Sequence, residues 1–439
     1  MENVRNDAAN PSEAAAQHIN GRRSKTPKNK KEHYRYTPSK QYVSRMIVVN
    51  GGEKITTHLP IRHDGSIDKD PHSAFDHSFL RTPSKPVISK DLPKVRGVDL
   101  FCGCGGLSLG AREACSAMGR RFESLLAVDE DISSLEVYVR NFAPRQAYNR
   151  DIRELLCGGL GAPVQPCEKV LLRGLKNIDL VLAGPPCQGH SSLNNHTRRK
   201  DYRNKLYERV GRFAEIVGPK HILIENIPDV VHGHDRSLDR TVTLLDKLNY
   251  KLDAGVINLS DIGVPQKRRR HILVASLGKL ISIEDVIQKY KVPEKRTVHW
   301  AIEDLERTNG SFFDRPTMTS RENMERILYL QERGLYNLPD HMRPPCHRDG
   351  GHRYRSMYGR MKYDEPAQTI TRGFGSPGQG RFIHPIQPRT LTPHEAARLQ
   401  FFPDSFDFSG VKERNQLAKM IANAVPMKLS YVFCLEFLT

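Results

Sequence analysis

The sequence predicts an α/β protein with a doubly wound, mostly parallel sheet and a second, smaller, loop-rich domain. From Val95 onward, runs rich in Val, Ile and Leu alternate with amphipathic segments, which is typical of parallel strands joined by helices. Two apolar runs that follow each other closely after residue 250 predict an antiparallel edge. After about residue 278 the alternation stops and Arg, Gly, Pro and His accumulate, which favours a separate loop-rich unit.

The individual elements follow from the length and periodicity of each run. The predicted strands are VRGVDLF, SLLAVD, IDLVLAG, HILIEN, KLDAGVINL and HILVAS. The predicted helices between them are LSLGAREACSAM, ISSLEVYVRNF, KLYERVGRFAEIV and RSLDRTVTLLDKL. A later helix begins after Thr392, because this N-cap residue precedes a proline and has Glu395 three positions on. Ligands of such sheets bind at the carboxyl ends of the strands.

Composition and charge limit the class of protein. A chain of 439 residues with 38% hydrophobic content can bury a substantial core. A formal net charge of +18 favours a polyanionic partner, although charge alone leaves open a basic protein without one. No window resembles a membrane span or a signal peptide, so we expect an intracellular protein without a membrane partner. The eight cysteines show no paired framework, which predicts reduced thiols.

The first motif with chemical content is DLFCGCGGLSLG, in which a strand ends in a glycine-rich turn that opens a helix. Gly103 and Gly105 would let the backbone approach a ligand closely. Asp129 ends the next predicted strand, at about the distance where an acid takes ribose hydroxyls in such folds. The pattern fits NAD and S-adenosylmethionine equally, and a purely structural tight turn is the alternative.

Three further motifs follow the next strands. In GPPCQGHSS, Cys187 lies on a proline-rigidified turn where a nucleophile would be exposed, although an isolated cysteine is more often a small buried hydrophobe. In ENIPDV, Glu225 ends the adjacent strand, and a salt-bridged surface carboxylate is the alternative. In QKRRRH, Arg268 and Arg270 share one face of a strand, where a solvated basic turn is the alternative.

Taken together, these motifs resemble those of the DNA (cytosine-5)-methyltransferases, mostly bacterial modification enzymes. The resemblance runs from about Arg96 to Thr439 in the family's order, through DLFCGCGG, GPPCQG, ENI, QKRRR, RTLTPHEAARLQFFPD and NAVP. It implies a Rossmann-like, S-adenosylmethionine-dependent methyltransferase that acts on cytosine in double-stranded DNA. Three residues depart from the usual pattern, since His190 replaces a common Phe, Arg269 an acid and Ala422 a glycine.

The resemblance also assigns roles to individual residues. The catalytic positions fall on Cys187, Glu225 and Arg270, with Arg268 as an accessory position. The cofactor positions fall on Phe101, Gly103, Gly105, Asp129 for the ribose, Asp151 for the adenine amino group, and Asn423 with Val425 for closing the pocket. No metal is expected, because Cys102 with Cys104 lack a second pair. The cluster of His341, Cys346, His347 and His352 likewise fits no standard finger.

Four domains follow from this assignment. They are a basic, partly disordered extension (1–90), a catalytic and cofactor-binding domain (91–299), a target-recognition domain (300–385) and C-terminal helices that complete the catalytic domain (386–439). The recognition domain supplies candidate DNA-contacting arginines, namely Arg343, Arg348, Arg353, Arg355 and Arg360. We expect a monomer in the bacterial cytoplasm, associated with the nucleoid through DNA, that protects host DNA from a restriction endonuclease encoded nearby without direct contact.

Three other functions stay open at the level of sequence. An RNA cytosine methyltransferase could use the same scaffold, since the catalytic core alone does not read the 2′-hydroxyl. A binding protein with an inactive core is a second alternative, which the presence of Cys187, Glu225 and Arg270 counts against. A nicotinamide oxidoreductase would explain only the glycine-rich turn.

Overall fold

The computed structural model describes residues 32–49, 52–61, 68, 70–186, 206–232, 236–306, 310–348 and 356–439. Its strands are β1 (Glu32–Tyr36), β2 (Tyr42–Val48), β3 (Lys54–Pro60), β4 (Lys94–Leu100), β5 (Arg121–Asp129), β6 (Gln146–Asn149), β7 (Leu180–Ala183), β8 (His221–Asn226), β9 (Lys251–Asn258), β10 (Gln266–Lys267), β11 (Arg269–Ser276) and β12 (Ala367–Gln368). Its α-helices are α1 (Pro71–Leu80), α2 (Gly106–Ala117), α3 (Ile132–Phe142), α4 (Ile152–Leu155), α5 (Pro166–Leu171), α6 (Leu206–Val217), α7 (Ser237–Lys247), α8 (Ile283–Tyr290), α9 (Val298–Ile302), α10 (Arg321–Glu332), α11 (Pro393–Leu399), α12 (Arg414–Asn423) and α13 (Met427–Phe437).

A seven-stranded sheet forms the centre of the molecule, in the order β6-β5-β4-β7-β8-β11-β9. The strands from β6 to β8 run parallel to their neighbours, whereas β11 is antiparallel to both β8 and β9. The apolar runs of β4, β7 and β8 are buried almost throughout because helices cover both faces. The predicted doubly wound sheet with an antiparallel edge is therefore confirmed.

Two helices that are far apart in sequence pack closely on one face of this sheet. A Cβ atom on Gly106 would lie 2.2 Å from the carbonyl oxygen of Val425, and one on Gly110 would lie 2.1 Å from that of Met427. The hydroxyl of Ser430 also donates to the carbonyl oxygen of Leu107 at 2.7 Å. Helix α13 therefore contacts the backbone of α2 directly, and these contacts fix where α13 begins.

Residues 32–81, as far as they are described, form a unit that we call the N-terminal module. Strands β1, β2 and β3 make an antiparallel sheet on which α1 packs through Phe75, close to Val43. The module also contacts the C-terminal helix, because buried Arg45 donates to the Tyr431 hydroxyl at 2.9 Å and pairs with Glu113 at 2.8 Å. No element was predicted for this part of the chain.

The stretch between α9 and α11 contains less regular structure. Helix α10 packs through Ile327 and Leu330 against Leu338 and Ile383, which form a small separate core. Strand β12 pairs in parallel with β10 in a separate two-stranded sheet, and β10 directly precedes β11 of the central sheet in the chain. The boundaries of the four predicted domains stay predictions.

One prediction about the cysteines is wrong. Cys157 and Cys167 form a disulfide with a Cα–Cα distance of 6.6 Å, where reduced thiols had been expected throughout. The two cysteines are ten positions apart, one just after α4 and one in the first turn of α5, so the sulfur atoms meet through local chain geometry. Among the described helices, none combines the length and apolarity needed to cross a membrane.

Candidate active site and cofactor pocket

The glycine-rich turn after β4 has the unusual backbone that its sequence predicted. Phe101, Gly103 and Gly105 all adopt positive φ angles, of 61°, 51° and 100°. A Cβ on Gly105 would lie 2.3 Å from the Phe142 ring, so both conformation and packing demand glycine there. A Cβ on Gly103 would meet nothing within 4 Å, which leaves open space beside the turn for a ligand.

Asp129 lies at the carboxyl end of β5, directly beside this turn. Its carboxylate accepts hydrogen bonds from the backbone N–H of Gly103 at 2.7 Å and of Asp131 at 2.9 Å. Burial raises the pKa of Asp129, and the two backbone hydrogen bonds oppose that shift only in part. The turn and the acid thus form one rigid cradle whose residues fit the ribose end of S-adenosylmethionine.

Asp151 is the N-cap residue of α4, which follows β6, the strand beside β5 at the edge of the sheet. Its carboxylate accepts hydrogen bonds from Arg153, which lowers the pKa of Asp151, and its side chain is 23% exposed. It follows the end of β6, which pairs with β5, so Asp151 and Asp129 lie near the ends of adjacent strands.

A buried hydrogen-bonded chain behind the turn was not predicted, although DLF was part of the motif. The Asp99 carboxylate accepts from Ser108 at 2.6 Å, and Ser108 is also 2.9 Å from the Tyr138 hydroxyl. Burial raises the pKa of Asp99 to about 7. Its second carboxylate oxygen is buried without a hydrogen-bond partner among the described residues. Asp99 therefore adds a buried carboxyl group with a raised pKa directly behind the cofactor turn.

The structure brings two of the predicted catalytic residues together. The Nε atom of Arg270, on β11, is 2.6 Å from Oε1 of Glu225, on β8, and their side chains are only 13% and 9% exposed. The antiparallel register places Ile272 opposite Glu225, so the two charged groups meet at the same end of adjacent strands. Glu225 is thus a buried, paired carboxylate and not a salt-bridged surface residue.

The turn that precedes Cys187 lies against this pair. A Cβ on Gly184 would be 3.8 Å from Oε2 of Glu225 and 3.9 Å from the Val425 side chain. Asn226 donates from Nδ2 to the carbonyl oxygen of Pro185 at 3.3 Å, which ties the turn to β8. Cys187 itself lies outside the described residues, as does His190.

Four cysteines within the described residues are buried, whereas a nucleophile must be exposed and readily deprotonated. Burial raises the pKa of the Cys102, Cys104, Cys115 and Cys434 thiols, so the reactive thiolate is disfavoured at each. Among the part of the chain that is described, Cys346 is the one exposed free cysteine.

Arg268 contacts the segment that was expected to close the cofactor pocket. It is 3% exposed and donates to the carbonyl oxygens of Ala422 and Ala424, each at 3.3 Å. These carbonyls flank Asn423, which is exposed, and precede Val425, which is buried. Arg268 therefore positions residues 422–426, which we call the ANAVP segment.

Two buried glutamines that sequence reasoning missed support the same segment. Gln400 donates from Nε2 to the carbonyl oxygens of Ile421 at 2.7 Å and Ala422 at 3.1 Å. Gln266 donates to Gln400 at 3.0 Å and accepts from the Ile370 N–H at 2.9 Å. Both side chains are fully buried. Their network joins β10 and the end of α11 to the ANAVP segment and to Ile370, in the stretch between α9 and α11. RLQ and QKRRR were noted in the sequence, but nothing in either predicts that their glutamines meet.

The candidate recognition arginines divide between described and undescribed residues. Arg343, Arg348 and Arg360 each donate to a backbone carbonyl, of Leu338, Arg343 and Pro385 respectively, while Arg353 and Arg355 lie outside the described residues. Within the residues that could be searched, no group of three or more His, Cys, Asp or Glu could hold a metal ion. His352 lies outside that search.

Known proteins match this chain in sequence over most of its length. The sequence model described as "C-5 cytosine-specific DNA methylase" matches residues 95–435. The Bacillus subtilis Type II methyltransferase M1.BsuMI is 43% identical over 394 residues, which covers 89% of this chain and 92% of that protein. An alignment of that extent reaches into the residues before 95. The Type II methylase M.HgiDII of Herpetosiphon aurantiacus is 30% identical over 348 residues, 76% of this chain and 92% of its own.

A solved structure supports the fold independently. An Escherichia coli protein described as a DNA modification methyltransferase encoded within a prophage superposes with a TM-score of 0.57 at 23% identity. The match covers 77% of this chain and 97% of that one. At this identity the likeness concerns the fold alone.

Proposed function

Because the chain belongs to the C-5 cytosine-specific DNA methylases, we propose that Cys187, Glu225 and Arg270 carry its reaction. The enzyme transfers a methyl group from S-adenosylmethionine to C5 of cytosine in DNA. The observation that supports this assignment of residues is the 2.6 Å contact between Arg270 and Glu225 beside the turn that leads to Cys187.

The three side chains have complementary tasks. Cytosine C5 is a poor nucleophile, so the Cys187 thiolate adds to C6, and the electron pair of the C5–C6 double bond becomes available at C5. Glu225 donates or shares a proton at N3 and so offsets the charge that develops on the ring. Arg270 holds the base carbonyl, orients Glu225 and favours the thiolate. After methylation, the C5 proton leaves to a base, the C6–S bond breaks, and the thiolate and the aromatic ring are restored.

The cofactor site uses separate strands. S-adenosylmethionine, when bound, supplies the methyl group as an electrophile. Phe101, Gly103 and Gly105 would hold it against the turn, with Asp129 at the ribose hydroxyls and Asp151 at the adenine amino group. Asn423 and Val425 would close the pocket, and Arg268 acts as an accessory residue by holding the carbonyls beside them.

The target base must leave the stack to reach Cys187, so we propose base flipping from double-stranded DNA, with residues 300–385 choosing the sequence. The relatives named as Type II methyltransferases motivate a role in protecting host DNA from a restriction endonuclease encoded nearby. The monomeric state and the nucleoid-associated cytoplasmic location stay predictions.

A mechanism-based trap tests the nucleophile. Duplex DNA that carries 5-fluorocytosine at the target should trap the enzyme covalently, because fluorine cannot leave as the C5 proton does. Mass spectrometry of the adduct is expected to place it on Cys187, and C187A should lose turnover while it still binds S-adenosylmethionine. C346A is the matched control, since it removes the exposed free cysteine and should still be trapped. An adduct on another residue, or turnover by C187A, would show the assignment to be wrong.

A further inference from the structure

The N-terminal module places a buried carboxylate against the start of the last helix. Asp76, on α1, accepts a hydrogen bond from the Lys428 ammonium at 2.5 Å, and the two side chains are 3% and 6% exposed. Asp76 lies outside residues 95–435, which define the family match, whereas Lys428 follows Val425 by three positions. A residue outside the family region thus touches the segment assigned to the cofactor.

Lys428 needs this partner for two reasons. It lies in the first turn of α13, where the helix dipole disfavours a positive charge. Its ammonium is also buried, above the rings of Phe401 at 5.1 Å and Tyr431 at 5.6 Å. A buried cation without a partner is strongly unfavourable, so loss of Asp76 would force the start of α13 to move.

Two other titratable groups also face Asp76, although burial lowers the pKa of His72 to about 4 and so favours its neutral form. His72 is 3.5 Å and Arg296 is 4.0 Å from its second carboxylate oxygen, both farther away than Lys428. Burial alone would raise the pKa of Asp76, but Lys428 and these neighbours bring it below its usual value. The carboxylate therefore carries its charge, and Lys428 is its nearest partner.

Movement of α13 cannot stay local, because its first residues contact the backbone of α2. The carbonyl oxygens of Val425 and Met427 occupy the places where side chains on Gly106 and Gly110 would begin. Gly106 directly follows the Gly103–Gly105 turn that would hold the cofactor. A shift at Lys428 therefore changes the distance between Val425 and that turn.

We propose that Asp76 is a positioning residue for cofactor binding, and that the N-terminal module braces the Asn423–Val425 segment through the Asp76–Lys428 pair. This inference rests on the proposed function, in which that segment closes the S-adenosylmethionine pocket. The module is then part of the catalytic unit, and affinity for the cofactor depends on residues that precede the family region.

The test compares full-length variants by calorimetric titration with S-adenosylmethionine alone and by steady-state kinetics. D76N leaves the buried ammonium unpaired and should raise both Kd and KM for S-adenosylmethionine by about tenfold or more, with kcat at saturating cofactor within about twofold of wild type. D76N/K428M removes both charges and should recover most of the lost affinity. D76E keeps the charge but displaces it by one methylene, so it should give a smaller loss in a folded protein.

A matched control lies at the other end of the same helix. Glu436 pairs with Lys289 at 2.6 Å and accepts from the Tyr290 hydroxyl at 2.6 Å. E436Q should lower the unfolding midpoint in urea yet leave the Kd for S-adenosylmethionine within about twofold, because its site is about 12 Å along the helix from Lys428.

The outcomes separate the brace from the proposed cofactor site. If D76N or D76E lowers stability but leaves the Kd unchanged, while N423A raises it, the brace is refuted and the cofactor site stands. If N423A also leaves the Kd unchanged, the assignment of the ANAVP segment is refuted, and the brace with it. Should D76N fail to fold, the Kd of D76E decides, and an unchanged value overturns the inference.

Discussion

Replacement of Glu225 by Gln should reduce catalysis far more than it reduces binding. The variant keeps the size of the side chain and an acceptor oxygen for Arg270, but it removes the ionisable carboxyl group and so leaves the Arg270 guanidinium without the charged partner that lies at 2.6 Å. A positioned general acid or base contributes about 10²- to 10⁴-fold in rate. At about 1.36 kcal/mol for each factor of ten, we expect E225Q to lose roughly 2.7 to 5.4 kcal/mol of transition-state stabilisation.

The contact between Glu225 and Arg270 also predicts the rate of the double variant. Arg270 and Glu225 act on the same base and hold each other, so E225Q/R270M should be at most about tenfold slower than the slower single variant. Two independent groups would instead multiply their effects, to roughly 10⁴- to 10⁸-fold. The difference between these outcomes exceeds any ordinary experimental error.

The assay measures tritiated methyl transfer under single-turnover conditions at saturating cofactor, alongside the Kd for S-adenosylmethionine. The Kd should stay within about twofold, because the cofactor residues lie on other strands. K220M is the control, since Lys220 precedes the same strand at its opposite end and pairs, largely exposed, with Asp179. Such a pair is worth about 0 to 1 kcal/mol of stability and should not affect rate. Wild-type turnover by E225Q, or multiplicative losses in the double variant, would refute the reasoning.

Three further predictions follow from the described contacts. His394 lies 2.8 Å from both Asp314 and Asp404; burial lowers its pKa, but the two carboxylates outweigh burial and raise it, near the Arg398 guanidinium. A raised pKa in the folded protein stabilises the fold fully at a pH below the unfolded pKa of about 6.5, and this stabilisation is lost as the pH rises through the folded pKa. The difference in free energy of unfolding between wild type and H394Q, measured in urea, should therefore shrink from pH 6 to pH 9. A constant difference would contradict this. Q400A should cost about 1 to 3 kcal/mol for each buried group that it orphans, measured by urea unfolding, with an unchanged midpoint as the contrary result. Exchange of residues 300–385 with those of a relative of different specificity should transfer the methylated sequence, whereas an active chimera that keeps its original target would place specificity elsewhere.

Much of the central fold could be predicted because its signals are local. The run HILIEN became β8 and ISSLEVYVRNF became α3 without a change of boundary. The capping pattern at Thr392 also formed as predicted, with Thr392 and Glu395 bonded reciprocally. In each case a few consecutive residues carry both the periodicity and the cap, so no distant contact is needed to decide the structure.

The parts that were missed depend on distant partners. Strands β1 and β3 are short and half-exposed, and Arg45 on β2 is buried where Glu113 and Tyr431 contact it from distant parts of the chain. The contact of Gln266 with Gln400 joins residues 134 positions apart, which no local pattern indicates. The disulfide of Cys157 with Cys167 was missed for another reason, since the expectation of reduced thiols rested on the lack of a paired cysteine framework in the sequence, and the spacing of one pair was not considered.

The sequence predicted which residues belong to the candidate site, but not which of their side chains contact each other. The sequence motifs indicated Glu225 and Arg270, but only the register of β8 with β11 brings their charges together. We expect the basic extension to strengthen binding to any DNA through its charge, because Lys and Arg neutralise phosphates without reading the bases. Removal of residues 1–31 tests this role of the extension and keeps the N-terminal module. Deletion of residues 1–90 would also destroy the contacts of that module with α13.

The close contact of α13 with α2 has a consequence for how the enzyme is made. The hydrogen bond from Ser430 to Leu107 spans 323 residues, so the first helix of the catalytic region waits for the last before it can pack. At a synthesis rate of about 5 to 20 residues per second, that interval is roughly 15 to 65 s. Throughout it, the apolar face of α2 lacks its cover and the ANAVP segment does not yet exist. We therefore expect methylation activity to require that α13 has left the ribosome, and a chain that stops before Met427 should be inactive and prone to aggregate, not partly active.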